Sequence, residues 1–473
     1  MISEYIRELK RYTYNELKKI FKCNNQILNS SISKLKEYGI LKVVPYTKEQ
    51  KDLSELNNED IEIASIVDND YNHYFVFDYV GIISINGIVL KIYPKYIKKD
   101  NSPKKQMKQV LKVIDKFNKQ EQIIKIFNDS DYSTSYNNLA VCLYFLNDYY
   151  ENGLYNNELD ILEENGSGEI YWDKTINEAF TLISDGCPYY PSVYTKKRIN
   201  DEYSFKKLHE TIVTKCSNEL DEADLLDLFD ITQTYLSETE LEEFGDTDYI
   251  LYRLENEMNI QFNTRKNNLL KMMYAYIANK GTLNELEHLS MYGTKSFNLV
   301  WEKVCAKVLN NHLDVYLCNL PLNNNPYKKS DGKLIDVIEK PKWVNKDENG
   351  QFIHETATLI PDTTVISNNK MIIYDAKYYC FEHTRQNLKG QPGIESITKQ
   401  YLYQLAYKKF TEDNKISNIE NYFIIPTETD TINYSGFVTF PILKNIGLEN
   451  IKICLISAKY MFKNYLDNQI IEI

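Results

Sequence analysis

Residues 359–379 constrain the fold more than any other stretch, because they have the pattern of a tight β-hairpin. Two apolar runs, 364–366 and 371–374, flank the tetrapeptide Ser367-Asn368-Asn369-Lys370. Asparagine tolerates the positive φ that a two-residue hairpin turn requires. We therefore predict two antiparallel strands joined at the two asparagines, with Ser367 paired to Lys370.

This register brings three charged side chains to one face of the hairpin. Counting outward from the turn places Asp362 directly opposite Asp375, and Lys377 shares their face because side chains two apart on a strand point the same way. Two carboxylates facing each other destabilise a strand pair. A divalent cation would reverse that effect, since Mg²⁺ prefers oxygen ligands. We predict a site for Mg²⁺, with Mn²⁺ as an alternative, in which Lys377 holds or deprotonates an attacking water.

These residues also resemble a known signature. Pro361-Asp362 followed by Asp375-Ala376-Lys377 is similar to the motif of the PD-(D/E)xK nuclease superfamily. The resemblance implies that Asp362 and Asp375 bind metal and that Lys377 is catalytic; a solvated hairpin edge is the alternative. A second triplet, Asp331-Gly332-Lys333, has no apolar strand around it and is predicted to form a turn.

Two predicted helices beside the hairpin carry further candidates. Residues 298–309 place an apolar stripe on one helix face, with Glu302 beside it. Residues 394–410 form a second helix, with Gln400 and Gln404 on one face. The superfamily resemblance implies that Glu302 completes the metal shell and that Gln400 reaches the active-site water or phosphate. A surface glutamate and a polar helix face are the alternatives.

Three further runs narrow the resemblance to one family. Residues 171–176, 390–404 and 421–426 are similar to the LlaJI family of restriction endonuclease subunits, which are relatives of McrC, the nuclease partner of a GTP-driven motor. The resemblance implies a Mg²⁺-dependent endonuclease subunit of an anti-phage restriction system. Its implied partners are double-stranded DNA and a separate McrB-like AAA+ GTPase or ATPase subunit.

The sequence contains no G-x-x-x-x-G-K-[ST] loop, so this chain does not hydrolyse a nucleotide by that route. A motor would therefore be another polypeptide. Residues 219–257 and residues 74–97 are the two candidate segments for contacting it.

The net charge of −12 is unusual for a protein that binds DNA, but it is unevenly distributed. Residues 219–257 contain fourteen acids and one arginine, which leaves the rest of the chain close to neutral. Residues 91–125 contain eleven lysines and three acids. This basic segment is predicted to bind phosphate, with a solvated lysine-rich helix as the alternative.

The first 45 residues are predicted to form a winged-helix-like DNA-binding unit. Thr13 and Glu16 make a capping box that opens one helix, and a second helix ends at Gly39 before an apolar strand at 40–44. A plain helical packing module is the alternative. The outer face of the second helix presents side chains that can bond base edges or phosphates, namely Gln26, Asn29, Ser30, Ser33 and Lys34.

Export and membrane insertion are not expected. Eight cysteines lack metal-binding spacing, which favours reduced thiols in a cytoplasm. No apolar run reaches about eighteen residues, the length typical of a membrane span, and the charged amino terminus does not resemble a signal peptide. We predict a cytoplasmic protein with no membrane partner.

The predicted architecture is a multidomain α/β chain. Residues 1–45 form the winged-helix-like unit, 46–290 a mixed β and helical middle region resembling McrC and LlaJI proteins, and 291–473 a PD-(D/E)xK nuclease core with a mixed sheet flanked by helices. The middle region is predicted to contain a strand set at 74–97 and to be mainly helical from 105, and residues 46–73 are a linker or extended wing. A DNA-repair exonuclease and a non-enzymatic DNA-binding or docking subunit are the alternative functions.

Overall fold

The computed structural model of the chain describes residues 1–45, 73–99, 103–118, 137–156, 159–199, 205–279, 289–347, 350–367 and 369–473. They form two compact units. The first unit comprises Met1–Asp131 and Met291–Ile473, and the second unit is Tyr132–Ser290. Apart from residue 73, the predicted linker lies outside the described residues, as does Asn368 of the hairpin turn.

The strands are numbered in chain order. They are β1 (Ile2–Arg7), β2 (Arg11–Tyr12), β3 (Leu41–Pro45), β4 (His73–Phe77), β5 (Val80–Ile85), β6 (Ile88–Tyr93), β7 (Leu159–Glu164), β8 (Glu169–Ile170), β9 (Leu182–Ser184), β10 (Cys187–Tyr189), β11 (Tyr194–Ile199), β12 (Leu289–Thr294), β13 (Lys342–Asp347), β14 (Gly350–Glu355), β15 (Thr363–Ser367), β16 (Lys370–Ala376), β17 (Glu382–His383), β18 (Leu388–Lys389), β19 (Asn418–Thr427), β20 (Asn433–Val438) and β21 (Ile451–Ser457).

The α-helices are numbered in the same way. They are α1 (Tyr14–Phe21), α2 (Asn25–Glu37), α3 (Lys104–Asn118), α4 (Asn138–Asn152), α5 (Trp172–Glu178), α6 (Phe205–Glu222), α7 (Thr247–Ile260), α8 (Thr264–Ala278), α9 (Phe297–Val308), α10 (Ile394–Ala406), α11 (Lys408–Asp413), α12 (Pro441–Lys444) and α13 (Ala458–Leu466). Short 3₁₀ turns lie at Asp227–Phe229, Leu241–Phe244, Leu317–Asn319, Lys329–Asp331 and Leu334–Val337.

Two sheets at the start of the first unit join residues 1–45 to residues 73–93. One sheet has the order β1-β6-β5-β12, with β1 parallel to β6 and a hairpin between β5 and β6 at Asn86-Gly87, where both residues have positive φ. The other has the order β2-β4-β3. Because β1, β2 and β3 pair with strands that follow residue 72, the boundary predicted at residue 45 does not separate two compact units.

Helices α1 and α2 form as the sequence predicts. The Thr13 side chain accepts a hydrogen bond from the Glu16 N–H, and Glu16 accepts one from the Thr13 N–H, which completes the capping box. The inward residues of both helices are buried, namely Leu17, Phe21, Leu28, Ile32 and Leu35. The two helices lead into β3, but the segment where a wing would follow lies outside the described residues.

A five-stranded mixed sheet forms the carboxy-terminal part of the first unit, in the order β15-β16-β19-β21-β20. Strands β16, β19 and β21 are parallel, and β15 and β20 are antiparallel edge strands. Ser367 pairs with Lys370 and Thr363 with Tyr374, which confirms the register predicted for the hairpin. The ladder ends at the pair of Thr363 and Tyr374, and Asp362 and Asp375 are the next residues beyond this pair on the two chain segments.

Helices cover both faces of this sheet. Alternate residues of β16, including Ile372 and Tyr374, share one apolar cluster with α9, α13 and α3. The intervening residues, Met371 and Ile373, pack with α10 and α11 through Tyr403, Tyr407 and Phe410. The period of two along the strand therefore divides its side chains between two helical layers. Asp375 shares the face of Met371 and Ile373.

The second unit is built around α4, α6, α7 and α8. Arg265 of α8 donates to both carboxylate oxygens of Asp148 in α4, at 3.1 and 2.7 Å. Residues 159–199 form five strands, in a sheet of order β7-β11-β8 and a separate β9-β10 hairpin. The prediction of a mainly helical region therefore missed these strands, which are short and separated by turns. No helix among the described residues is long and apolar enough to cross a membrane.

The first testable prediction concerns the close approach of the backbones of β5 and β12, which are neighbours in one sheet. A Cβ added at Gly293 would lie 2.2 Å from the Val80 carbonyl oxygen and 2.7 Å from the Gly81 Cα. We expect Gly293→Ala to lower the free energy of unfolding of the first unit by about 3 kcal/mol, because backbone atoms must move apart. Urea unfolding followed by the fluorescence of the buried Trp301 measures this change.

Gly447→Ala is the control for this variant. Its added Cβ meets no atom within 4 Å, and only its positive φ of 85° is unfavourable. It should cost about 1–2 kcal/mol. An equal or larger loss in Gly447→Ala than in Gly293→Ala would contradict the steric explanation.

Candidate active site

The hairpin brings Asp362, Asp375 and Lys377 together at one end of the five-stranded sheet. Asp375 is the penultimate residue of β16, and Asp362 directly precedes β15. The Asp362 Oδ2 accepts a hydrogen bond of 2.8 Å from the Ala376 N–H. The Lys377 Nζ lies 2.9 Å from the Asp375 Oδ2, and these two side chains are only 18% and 8% exposed. The two carboxyls and the ammonium group therefore form one compact, largely dehydrated cluster.

The two carboxyls cannot both carry a charge without penalty. Burial raises the pKa of Asp362 well above its usual range, and the neighbouring carboxyls of Asp375 and Glu302 raise it further. The hydrogen bond from the Ala376 N–H acts in the opposite direction but is the weaker effect. The pair therefore resists double ionisation unless a cation joins it.

The same negative charges favour the protonated, positively charged form of Lys377. Burial lowers the pKa of its ammonium group, but Asp375 and Asp362 outweigh burial, so the pKa lies above its usual value. With no other cation present, Lys377 is protonated and paired with Asp375. Neutralising the two carboxylates would remove the charges that raise its pKa.

Glu302 approaches this cluster from α9. Its helix is anchored by the buried Trp301, whose indole N–H donates to the Ile424 carbonyl of β19 at 3.2 Å. Burial raises the pKa of Glu302, Lys377 and Lys399 lower it, and Asp375 raises it. The charges of Lys377 and Asp375 therefore act on Glu302, although among the described residues Glu302 does not form a three-acid metal site with Asp362 and Asp375.

Gln400 lies against the strand rather than in open solvent. It is fully buried in α10, and its Nε2 donates to the Ile373 carbonyl of β16 at 3.0 Å. Its Oε1 has no hydrogen-bond partner among the described residues. The Gln404 Oε1 instead accepts from Asn421 and from the Glu449 N–H. Gln400 therefore fixes β16 two residues before Asp375, and Gln404 belongs to a separate network.

Two residues that position Asp362 were not predicted. The Asn311 side chain donates to the Asp362 carbonyl and accepts from the Thr364 N–H, at 3.4 and 3.0 Å. The Tyr403 hydroxyl donates to the Ile360 carbonyl at 2.9 Å. Asn311 follows the positive-φ residue Asn310 after a helix, a pattern that indicates only a helix end. Its contact with the strand is visible only in the tertiary structure.

The carboxyl oxygens of this site suit a hard divalent cation that takes only a few of its ligands from the protein. Among the described residues, no three His, Cys, Asp or Glu side chains are grouped closely enough to hold a metal ion by themselves. Mg²⁺ usually takes one or two carboxylates and completes its shell with water and substrate phosphate. The buried pair of Asp362 and Asp375, which disfavours double ionisation, fits that pattern.

Other predicted residues lie away from this cluster in sequence. Gln26, Asn29, Ser30 and Ser33 are exposed on α2 and Lys34 is half-buried. Asn29 accepts a hydrogen bond from the Tyr14 hydroxyl. Asp331 and Lys333 border a 3₁₀ turn, as predicted, and Lys333 pairs with the exposed Asp314 at 3.3 Å.

The carboxyl pair predicts that the stability of the fold depends on pH and that bound Mg²⁺ restores the stability lost at neutral pH. Without metal, the wild type should lose stability as pH rises above about 4, because Asp362 ionises less readily in the folded state than in the unfolded state. Asp362→Asn retains an acceptor for the Ala376 N–H and removes this ionisation. Its thermal midpoint at pH 7 in EDTA should therefore exceed that of the wild type, and calorimetry measures both.

Mg²⁺ should raise the midpoint of the wild type and leave that of Asp362→Asn nearly unchanged. Asp314→Asn, which removes a carboxylate 85% exposed, is the control and should behave like the wild type. A wild type more stable than Asp362→Asn in EDTA at pH 7 would refute the proposed electrostatic strain.

Two sequence comparisons show which known proteins this chain resembles. The sequence model of the LlaJI restriction endonuclease family matches residues 79–459. The chain is 28% identical over 437 residues to the Type II restriction enzyme BsuMI component YdjA of Bacillus subtilis (strain 168), covering 86% of this chain and 84% of that protein.

Two solved structures were also compared. One is a refined half-complex of Thermococcus gammatolerans McrB AAA+ hexamers with bound McrC; a chain in it is 13% identical, with a TM-score of 0.37 and coverage of 98% of this chain and 99% of that one. The other is the Thermococcus gammatolerans McrBC complex, at 14% identity, a TM-score of 0.25 and coverage of 58% and 79%. Scores this low support no conclusion about the fold or function of this chain. The match of the family model over most of the chain confirms the predicted family: the protein belongs to the LlaJI restriction endonuclease family.

Proposed function

We propose that this chain is the nuclease subunit of a restriction system and hydrolyses phosphodiester bonds of double-stranded DNA in a Mg²⁺-dependent reaction. The observation that carries the proposal is the buried cluster of Asp362, Asp375 and Lys377 on two adjacent strands. The cluster has the residue types and strand order of a PD-(D/E)xK core, and the five-stranded mixed sheet with helices on both faces supports the same assignment.

Asp362 and Asp375 would hold the cation. Glu302 would be an additional acid whose charge interacts with the cation. When bound, Mg²⁺ would polarise the scissile phosphate and favour an attacking hydroxide. The rest of the protein would hold these two carboxyls in position. Asn311 and the Ala376 N–H orient Asp362, and Gln400 fixes the strand that carries Asp375.

Lys377 would donate from Nζ to the attacking water or to a phosphate oxygen. Its contact with Asp375 keeps the ammonium group beside the reacting centre before substrate arrives. Once the carboxylates bind a cation, the charges that raise the pKa of Lys377 are neutralised, so a larger fraction of the lysine is the neutral amine that can take a proton from water. Mn²⁺, which also accepts oxygen ligands, would replace Mg²⁺ at such a site.

A separate AAA+ NTPase would be the motor partner, since the sequence lacks the phosphate-binding loop. Of the two candidate contact segments, residues 219–257 are favoured. Strands β5 and β6 of the other segment are almost completely buried and leave little surface for a partner. The acidic segment instead carries exposed side chains along α7, including Tyr249 and Tyr252.

The exposed polar face of α2 would contribute a second DNA contact. Gln26, Ser30 and Ser33 project from one helix and are exposed to solvent. Side chains of these types bond phosphates and base edges. The half-buried Lys34 of the same helix would add a positive charge that favours the approach of phosphates.

Lys377→Ala should lower the rate of DNA cleavage by at least about 10²-fold, because the charge nearest the reacting phosphate is lost. Asp375→Ala should abolish cleavage. The cleavage of plasmid DNA in Mg²⁺, followed over time, measures both effects. Unchanged circular dichroism would show that the fold is retained.

The chain contains its own matched control for this experiment. Lys333→Ala changes the lysine of the second Asp-x-Lys triplet, which forms a turn and makes an exposed ion pair. Cleavage by this variant should equal that of the wild type. Full activity in Lys377→Ala, with contaminating nuclease excluded, would overturn the assignment.

Closed circular DNA distinguishes an endonuclease from an exonuclease. We expect the wild-type chain with its AAA+ partner, Mg²⁺ and GTP or ATP to cut closed circles, because an endonuclease needs no DNA end. The same mixture without the partner or without nucleotide should cut far more slowly. Degradation of linear DNA alone would identify an exonuclease, and Mg²⁺-independent DNA binding without any cleavage would identify a docking or regulatory subunit.

A further inference from the structure

An open groove of about 1160 Å³ lies in the first unit, and its lining includes Leu359 and Ile360, which precede Asp362 in the chain. Its walls come from three segments of the first unit: residues 337–341, residues 357–360, and helices α10 and α11. Its floor is apolar and includes Leu317, Ile338 and Phe410. No residue assigned above to catalysis or metal binding lines this groove.

One wall of the groove leads along the chain toward the carboxyl cluster. Leu359 and Ile360 line it, and the chain reaches Asp362 two residues later. The Tyr403 hydroxyl of α10 holds the Ile360 carbonyl, so this wall and the helix are fixed to each other. Lys399 also lines the groove, and its charge reaches Glu302. The groove and the carboxyl cluster therefore share this stretch of chain.

Three exposed lysines surround the groove, namely Lys340, Lys399 and Lys409. In the part of the chain that the structure describes, none of the three makes an ion pair or a side-chain hydrogen bond. Many other lysines of the first unit are engaged, as Lys98 is with Glu382 and Lys370 with Glu420. Two acids, Glu339 and Asp413, also line the groove, so its charge remains positive by one.

The spacing of two of these lysines matches a nucleic acid strand. Helices α10 and α11 are joined by Tyr407, whose backbone is itself in the right-handed helical region. Lys399 and Lys409 are ten residues apart, which corresponds to about 15 Å along a helix axis. The phosphates of one strand of duplex DNA repeat every 3.4 Å or so along its axis. The two ammonium groups can therefore contact phosphates about four nucleotides apart.

We propose that this groove binds the cleaved DNA strand beside the scissile phosphate, with Lys340, Lys399 and Lys409 contacting its backbone and the apolar floor contacting its sugars. This inference rests on the proposed nuclease function and deepens it, because it assigns the path of the substrate. The contacts are to phosphate, so they contribute affinity and register but no sequence preference.

The test measures how DNA affinity depends on salt for a labelled duplex in Ca²⁺ instead of Mg²⁺, so that binding is read without cleavage. The double variant Lys340→Ala, Lys409→Ala removes two groove contacts. Each lost phosphate contact should reduce the slope of log affinity against log salt by about 0.9, so the double variant should lose about 2 units of slope.

The matched control is the double variant Lys408→Ala, Lys463→Ala. Both lysines are exposed, Lys408 is adjacent to Lys409 in the sequence, and neither lines the groove. The change in net charge is the same, and the slope should stay at the wild-type value. Asp413→Asn, which removes an acid from the groove wall, should increase affinity at low salt.

Equal slopes in the two double variants would overturn the proposal, and so would a wild type that does not bind DNA. The nuclease assignment fails separately. If Lys377→Ala retains full cleavage while the groove variants lose slope, the chain binds DNA in the groove but the catalytic assignment is wrong. If Lys377→Ala loses cleavage while the slopes stay equal, the nuclease stands and the groove does not carry the strand.

Discussion

The enforced proximity of Asp362 and Asp375 is the constraint on which the organisation of the site depends. Two carboxyls on opposed strands repel each other when ionised, and burial increases the cost. The surrounding structure holds them in place through the Ala376 N–H, the Lys377 ammonium and the Asn311 amide. Such an arrangement reduces the stability of the metal-free fold, and a bound cation would recover it. The packing therefore holds the two carboxyls closer together than their charges favour, and a cation bound between them would relieve this repulsion.

The sheet can hold the two carboxyls close together because helices cover both of its faces. Trp301 and the cluster around it fix one face, and Tyr403, Tyr407 and Phe410 fix the other. Gln400 adds a direct hydrogen bond to the backbone of β16, so the strand that carries Asp375 cannot shift along its axis without breaking it. Helix α10 therefore has two roles. Its buried face holds the strand that carries Asp375, and its exposed face, with Lys399, borders the groove.

The distribution of charge separates two kinds of surface. The net charge of −12 is concentrated in residues 219–257, which belong to the second unit, whereas the groove with three unpaired lysines belongs to the first unit. The overall charge of the chain therefore says little about either surface. Binding of DNA depends on local positive potential rather than on net charge, and the proposed groove carries three lysines in the first unit.

The sequence by itself determined the hairpin, its register and the cluster of Asp362, Asp375 and Lys377, because a tight turn with alternating side chains is fixed by interactions between near neighbours. It also determined the capping box at Thr13 and the apolar stripe of α9, which depend on local periodicity. Only the tertiary structure decided which distant segments meet. The pairing of β1 with β6 joins residues 2–7 to residues 88–93, and the five strands at 159–199 were not predicted. Asn311, Tyr403 and the groove lysines gain their positions from contacts between segments far apart in the chain, and no local pattern encodes such contacts.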